Sequence, residues 1–130
     1  GMPPMSDQHL ALDGILGADC PIRVDFRWHP EDAAAVTITF SSDLAPEPAV
    51  VWLVSREVLA EKAPGLGDFR ADRQGHRLHL ALNSPTGQAV VSVPARPVTT
   101  WLQQIAATHP YGTESYNIDS VLDRIFKEAE

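Results

Sequence analysis

Cysteine is almost missing from this chain: Cys20 is the only one in 130 residues. No intrachain disulfide can form, and a thiolate-based zinc site is argued against on the same count. No apolar run approaches the roughly 18 residues that span a bilayer, and no signal-peptide pattern opens the sequence; Gly1 ahead of Met2 reads as a cloning remnant. These absences fit a cytoplasmic protein. Positive charge is short too. Ten Lys and Arg face 17 Asp and Glu, a net charge of −7, which argues against general nucleic-acid binding, because that needs a basic surface to displace counterions. The deficit is uneven: residues 1–64 carry −6, residues 65–96 carry +2 and residues 97–130 carry −3. The middle segment, with Arg70, Arg73, Arg77 and Arg96, is the only stretch where a basic patch could form.

Catalytic signatures are also missing. His76 and His79 are the only close pair of histidines, and a three-residue offset on one strand sends them to opposite faces. Gly65-Leu66-Gly67 lacks the third glycine of a phosphate loop and precedes a strand where such a loop would open a helix. No serine sits in a Gly-x-Ser-x-Gly elbow. The carboxylates Glu31-Asp32 and Asp68/Asp72 have no spacing that implies paired acid–base work. Cys20 reads as a small hydrophobe at a strand edge. The expectation is a protein without catalytic residues, cofactor or metal.

What is present is the pattern of a single globular domain over residues 1–130, with 44% hydrophobic and 21% charged residues. The clearest unit is Leu78 to Leu102. Leu78, Leu80 and Leu82 alternate with polar or small residues, Ser84-Pro85-Thr86-Gly87 makes a turn, and Ala89, Val91 and Val93 return. Pro94 and Pro97 then end the strand and open a helix, on which Val98, Trp101, Leu102 and Ile105 form one apolar stripe. Upstream, Ile22, Val24, Phe26 and Trp28 form one strand face, and Val36, Ile38 and Phe40 another; a weaker strand lies within His9 to Leu16. Val50 to Val54 is apolar on both faces and reads as a central strand covered on both sides, with Trp52 buried. Ser55 suits a helix N-cap, and Pro64-Gly65 closes that short helix. Gly67 to Arg73 is extended. A last helix, starting near Asn117 or Asp119, carries Ile118, Val121, Leu122, Ile125 and Phe126. The sum is α+β: mostly antiparallel twisted sheet of about seven or eight strands, a short middle helix and two C-terminal helices. Trp28 and Trp101 fall on core faces, whereas Tyr111 and Tyr116 bracket a loop that could meet a partner. The candidate contact residues are Arg70, Arg73, Arg77, Tyr111 and Tyr116.

Five blocks, in this order and spacing, carry a resemblance: Val51-Trp52-Leu53-Val54-Ser55-Arg56-Glu57-Val58-Leu59-Ala60-Glu61, Gly67-Asp68-Phe69-Arg70, Leu82-Asn83-Ser84-Pro85-Thr86-Gly87-Gln88-Ala89, Pro94-Ala95-Arg96 leading into Trp101-Leu102, and Pro110-Tyr111-Gly112-Thr113-Glu114. With them the chain resembles the SsgA-like (SsgA/SsgB) sporulation and cell-division proteins of actinomycetes, of SsgB type. The resemblance runs from about Pro21 to the C-terminus, and residues 1–19 match poorly. It implies a fold similar to the "whirly" single-stranded nucleic-acid-binding proteins, a homotrimer, and an adaptor at the division septum. That adaptor would recruit the tubulin-like protein FtsZ and use no catalytic residues. Two rival readings are a single-strand nucleic-acid binder, which the charge opposes, and an enzyme whose site assembles from distant residues.

Overall fold

Four strands come first: β1 (Gln8–Leu16), β2 (Cys20–Trp28), β3 (Ala35–Ser41) and β4 (Val50–Ser55). A single-turn helix, α1 (Arg56–Leu59), separates them from β5 (Phe69–Gln74), β6 (Arg77–Ser84) and β7 (Gly87–Pro94), and helix α2 (Ala95–Thr108) follows β7 directly. The computed structural model describes residues 6–43, 48–65 and 67–111. The seven strands form one sheet in the order β4-β3-β2-β1-β7-β6-β5, and every pairing is antiparallel. Two meanders, β1–β4 and β5–β7, therefore meet where β1 pairs with β7. The sheet is curled, because α1 packs against both β4 and β5, its two outermost strands.

Local chemistry explains the elements. In the β6–β7 hairpin, Ser84 pairs with Gly87 across the two-residue loop Pro85-Thr86. Gly87 takes a φ of 147°, open to glycine and strained for other residues, and Ser84 Oγ donates to Gly87 O at 3.2 Å. In β1, Leu10, Leu12 and Leu16 pack against the core while Gly14 takes the remaining inward position. A Cβ at Gly14 would lie 2.8 Å from Val24 Cγ2 and 3.1 Å from Ser92 O. The glycine thus lets β2 and β7 close on β1 at the junction of the meanders, and it also hides the alternation that would mark this strand in the sequence.

The core fills the concave side of the sheet. Val24, Phe26, Trp28, Val36, Ile38, Leu80, Val91 and Val93 point inward, and α2 lies over them with Ala95, Val98, Trp101, Leu102 and Ile105 buried. Burying side chains such as Val98, Leu102 and Ile105 contributes roughly 1.5–3 kcal/mol each. The Trp101 ring is tilted against Phe26 with centroids 6.0 Å apart. The two core tryptophans differ in one respect. Trp28 Nε1 donates to Ala33 O at 3.0 Å, whereas the buried Trp101 Nε1 has no acceptor among the described residues. Replacement by Phe removes similar volume at both sites but a hydrogen bond only at Trp28. Trp28→Phe should therefore destabilise by about 1 kcal/mol more than Trp101→Phe in urea unfolding; equal losses would show that the Trp28 bond contributes nothing.

The hairpin, the β2 and β3 faces, the Ser55 cap and the α2 stripe lie where the sequence places them. Ser55 Oγ accepts from Val58 N at 3.3 Å. The helix it caps ends at Leu59, earlier than Pro64-Gly65, and Glu61 then takes a φ of 60°. Position is the main correction. Val50–Ser55 is not a central strand but the outermost one, paired with β3 alone among the described residues. Val54 is buried, Trp52 is half-buried, and Val50, Val51 and Leu53 are exposed. Cys20, read as a small hydrophobe at a strand edge, starts β2 and is exposed. The last helix, with Ile118 to Phe126, lies outside the described residues.

Candidate interaction surfaces

β4 presents apolar side chains on both faces at the open margin of the sheet. On the concave face Val50 is 54% exposed beside the half-buried Trp52; on the convex face Val51 and Leu53 are 61% and 68% exposed. Neither β3 nor β4 contains an ionisable side chain. The opposite margin is built differently. β5 carries Arg70, Asp72 and Arg73, and the Arg73 N–H is taken up by the Glu61 carboxylate. Charges and a capped backbone group are how sheet margins are protected from adding strands. Among the described residues the β4 margin has neither.

Where the curled sheet opens away from α2, a cavity of about 690 Å³ is lined by Ile22, Phe40, Trp52, Leu82, Ala89 and Val91, among others. A second feature lies at the opposite end. Arg56 is fully buried. Its Nη1 donates to His109 O, at the C-terminal end of α2, at 2.8 Å, and its guanidinium lies 4.4 Å from the centroid of the Tyr111 ring. Lys62 Nζ approaches the same ring at 5.1 Å, and the His109 ring packs edge-on against Trp28 at 4.9 Å. A cation over an aromatic face and a charged donor on a helix-end carbonyl are both favourable. The corner ties the helix-α1 turn to the exit of α2.

The four candidate contact residues that are described do not form one patch. Along β5, Arg70 and Arg73 fall on opposite faces, as their three-residue offset requires. Arg70 is exposed and lines a hollow on the convex face with Asp72, His79 and Val90. Arg77 is committed to the sheet: its Nη2 donates to Ser92 O at 2.9 Å and to Ser92 Oγ at 3.0 Å. Arg73 and Tyr111 are brought together, both lining a cavity of about 520 Å³ between α1 and α2. Tyr111 is half-buried against the Arg56 and Lys62 side chains, and Tyr116 lies outside the described residues. Exposed ion pairs on the convex face, such as His9–Asp25 at 3.2 Å and Arg23–Asp13 at 3.8 Å, contribute little stability. Sequence reasoning missed the Arg56 corner and the exposure of β4. No local signal marks Arg56, whose partners stand 53 and 55 residues further on. The uncharged β3 and β4 segments were a signal for the other.

The described residues thus form a curled antiparallel sheet with a helix across its concave side and an apolar, uncharged outer strand. The family described as "Streptomyces sporulation and cell division protein, SsgA" matches residues 22–114, and the chain belongs to it. Within that family it is SsgB-like. It is 32% identical over 130 residues to the sporulation-specific cell division protein SsgB of Streptomyces coelicolor, covering 93% of both chains. It is also 32% identical over 106 residues to SsgB of Salinispora tropica, covering 76% of this chain and 74% of that one. A solved structure described by mutations in SsgB that correlate to longitudinal cell division during sporulation of Streptomyces coelicolor superposes with a TM-score of 0.72. It is 29% identical, and the match covers 89% of this chain and 98% of that one. The fold recurs in an SsgA-like sporulation-specific cell division protein from Thermobifida fusca, at a TM-score of 0.72 and 22% identity over the whole of both chains. These relatives are named as division proteins, and the chain is accordingly assigned to sporulation-linked cell division.

Proposed function

We propose that this protein is a non-enzymatic adaptor that positions the sporulation septum by recruiting FtsZ, working as a homo-oligomer on the cytoplasmic side of the division site. The observation that carries the reading is the end-to-end likeness to SsgB, 93% of both chains, on a fold whose open surfaces suit contact more than chemistry. The alternative, a whirly-like single-stranded nucleic-acid-binding protein, stands lower. Such proteins stack bases on exposed aromatics above a basic groove. Here the net charge is −7, and every described aromatic is buried or half-buried.

Imaging in sporulating cells tests the adaptor reading. A fluorescent fusion of this protein should reach future septa before FtsZ rings appear, and deletion of the protein should leave FtsZ dispersed there. Normal FtsZ rings at normal times in the deletion strain would sink the proposal.

A further inference from the structure

We propose that the open end of the curled sheet binds a single aliphatic chain that carries an uncharged polar end, as in a monoacylglycerol. The inference goes beyond the septal role and does not depend on it.

The cavity at that end is about 690 Å³, within the roughly 300–1,000 Å³ of small-molecule sites, which recur at the mouths of β-barrels. Six of the seven strands build its wall: Leu16 of β1, Ile22 of β2, Phe40 of β3, Trp52 of β4, Leu82 of β6 and Val91 of β7 all line it. Strand alternation turns these positions to the concave side. No residue of α2 lines the cavity. The apolar wall of the core therefore runs on past the helix that covers the rest of it.

The polarity of the lining selects the ligand. No Asp, Glu, Lys, Arg or His is among the described lining residues, although 21% of the chain is charged. The other hollows of comparable size do carry charge, Glu61, Lys62 and Arg73 in one and Arg70 and Asp72 in the other. A carboxylate or phosphate drawn into the uncharged cavity would lose its hydration and find no cation. Ser41, Ser84, Thr86 and Gln88, at the end of β3 and in the β6–β7 hairpin, bring hydroxyl and amide groups to the lining. Such groups suit an uncharged, hydroxylated end.

Shape favours a chain over a helix. Facing sheet layers lie about 10 Å apart, and a helix with its side chains is about 10–12 Å across. An aliphatic chain passes where a helix does not. A bilayer surface is unsuited as well: attraction to anionic lipid draws on clustered Lys and Arg, and this chain carries −7.

Trp52 reports on occupancy. It is half-buried in the cavity wall, whereas Trp28 and Trp101 are 1% and 5% exposed and do not line it.

Titration of the full chain with 1-monodecanoylglycerol, kept below its micelle concentration, tests the site by calorimetry and tryptophan fluorescence. Binding should saturate at one ligand per chain and shift the Trp52 emission to the blue. Each methylene added between octanoyl and decanoyl chains should tighten it about fourfold. Decanoate at pH 8, with the same chain but a charged end, should bind at least tenfold more weakly, and glycerol alone should not bind. Ala89→Phe fills the cavity from β7 and should abolish binding. Val50→Asp puts a carboxylate at a lining position that is 54% exposed and should weaken binding at least tenfold; it keeps the test decisive if the larger side chain prevents folding. Absence of saturable binding would leave a protein segment as the occupant and overturn the proposal. Equal affinity for decanoate, an emission shift that persists in Trp52→Phe, or affinity unchanged in both Ala89→Phe and Val50→Asp would overturn it too. No division protein takes part, so this site can fail while the septal role stands, and the reverse.

Discussion

Replacing Arg56 by Ala should destabilise the protein by about 3 kcal/mol, seen as a midpoint shift in urea unfolding and a fall in Tm of roughly 10 °C. Arg56 is fully buried, so truncation removes a large packed side chain and leaves a void. It also deprives the His109 carbonyl of its charged donor and the Tyr111 ring of its nearer cation. Hydrogen bonds to charged groups contribute about 1.5–3 kcal/mol, and a desolvated cation–aromatic contact about 2 kcal/mol or more. Arg56→Lys should recover less than half of the loss, because a point-like ammonium cannot both reach the carbonyl and present a flat face to the ring. A shift below 1 kcal/mol for Arg56→Ala would mean that the corner does not hold the end of α2.

Trp28→Ala should be at least as severe, at about 3–5 kcal/mol. The Trp28 side chain is 1% exposed, bonds Ala33 O through Nε1 and packs against His109. It therefore joins β2, the loop before β3 and the end of α2 in one place. Natural domains are stable by only about 5–15 kcal/mol, so the variant should unfold near physiological temperature, with loss of the near-ultraviolet dichroism of the core. A cooperative transition within a few degrees of wild type would contradict the assignment of Trp28 to the centre of the core.

These two residues were not equally legible. Trp28 ends an unbroken period-two face with Ile22, Val24 and Phe26, a local pattern that settles its direction before any tertiary contact is known. The β6–β7 hairpin and the α2 stripe were readable for the same reason, since turn and helix chemistry act over a few residues. Arg56 was not, because its environment is assembled from β4, α1 and the end of α2. Exposure of β4 failed for a related reason. A run that is apolar on both faces satisfies a buried central strand and an outer strand awaiting a partner equally well, and the rank of a strand in a sheet is set by pairings between segments far apart in the chain. β1 was weak in the sequence because Gly14 interrupts its inward leucines. As for contact residues, the alternation of β5 separates Arg70 from Arg73, and the bonds to Ser92 commit Arg77 to the sheet; the basic segment of the sequence is thus spread over different surfaces.

The central claim, that this protein recruits FtsZ to the septum, is tested most directly by co-pelleting with polymerised FtsZ. The purified protein should sediment with FtsZ polymers in a saturable way and stay in the supernatant without them, across low and moderate salt. Recovery wholly in the supernatant at every salt concentration, with FtsZ fully pelleted, would contradict direct recruitment.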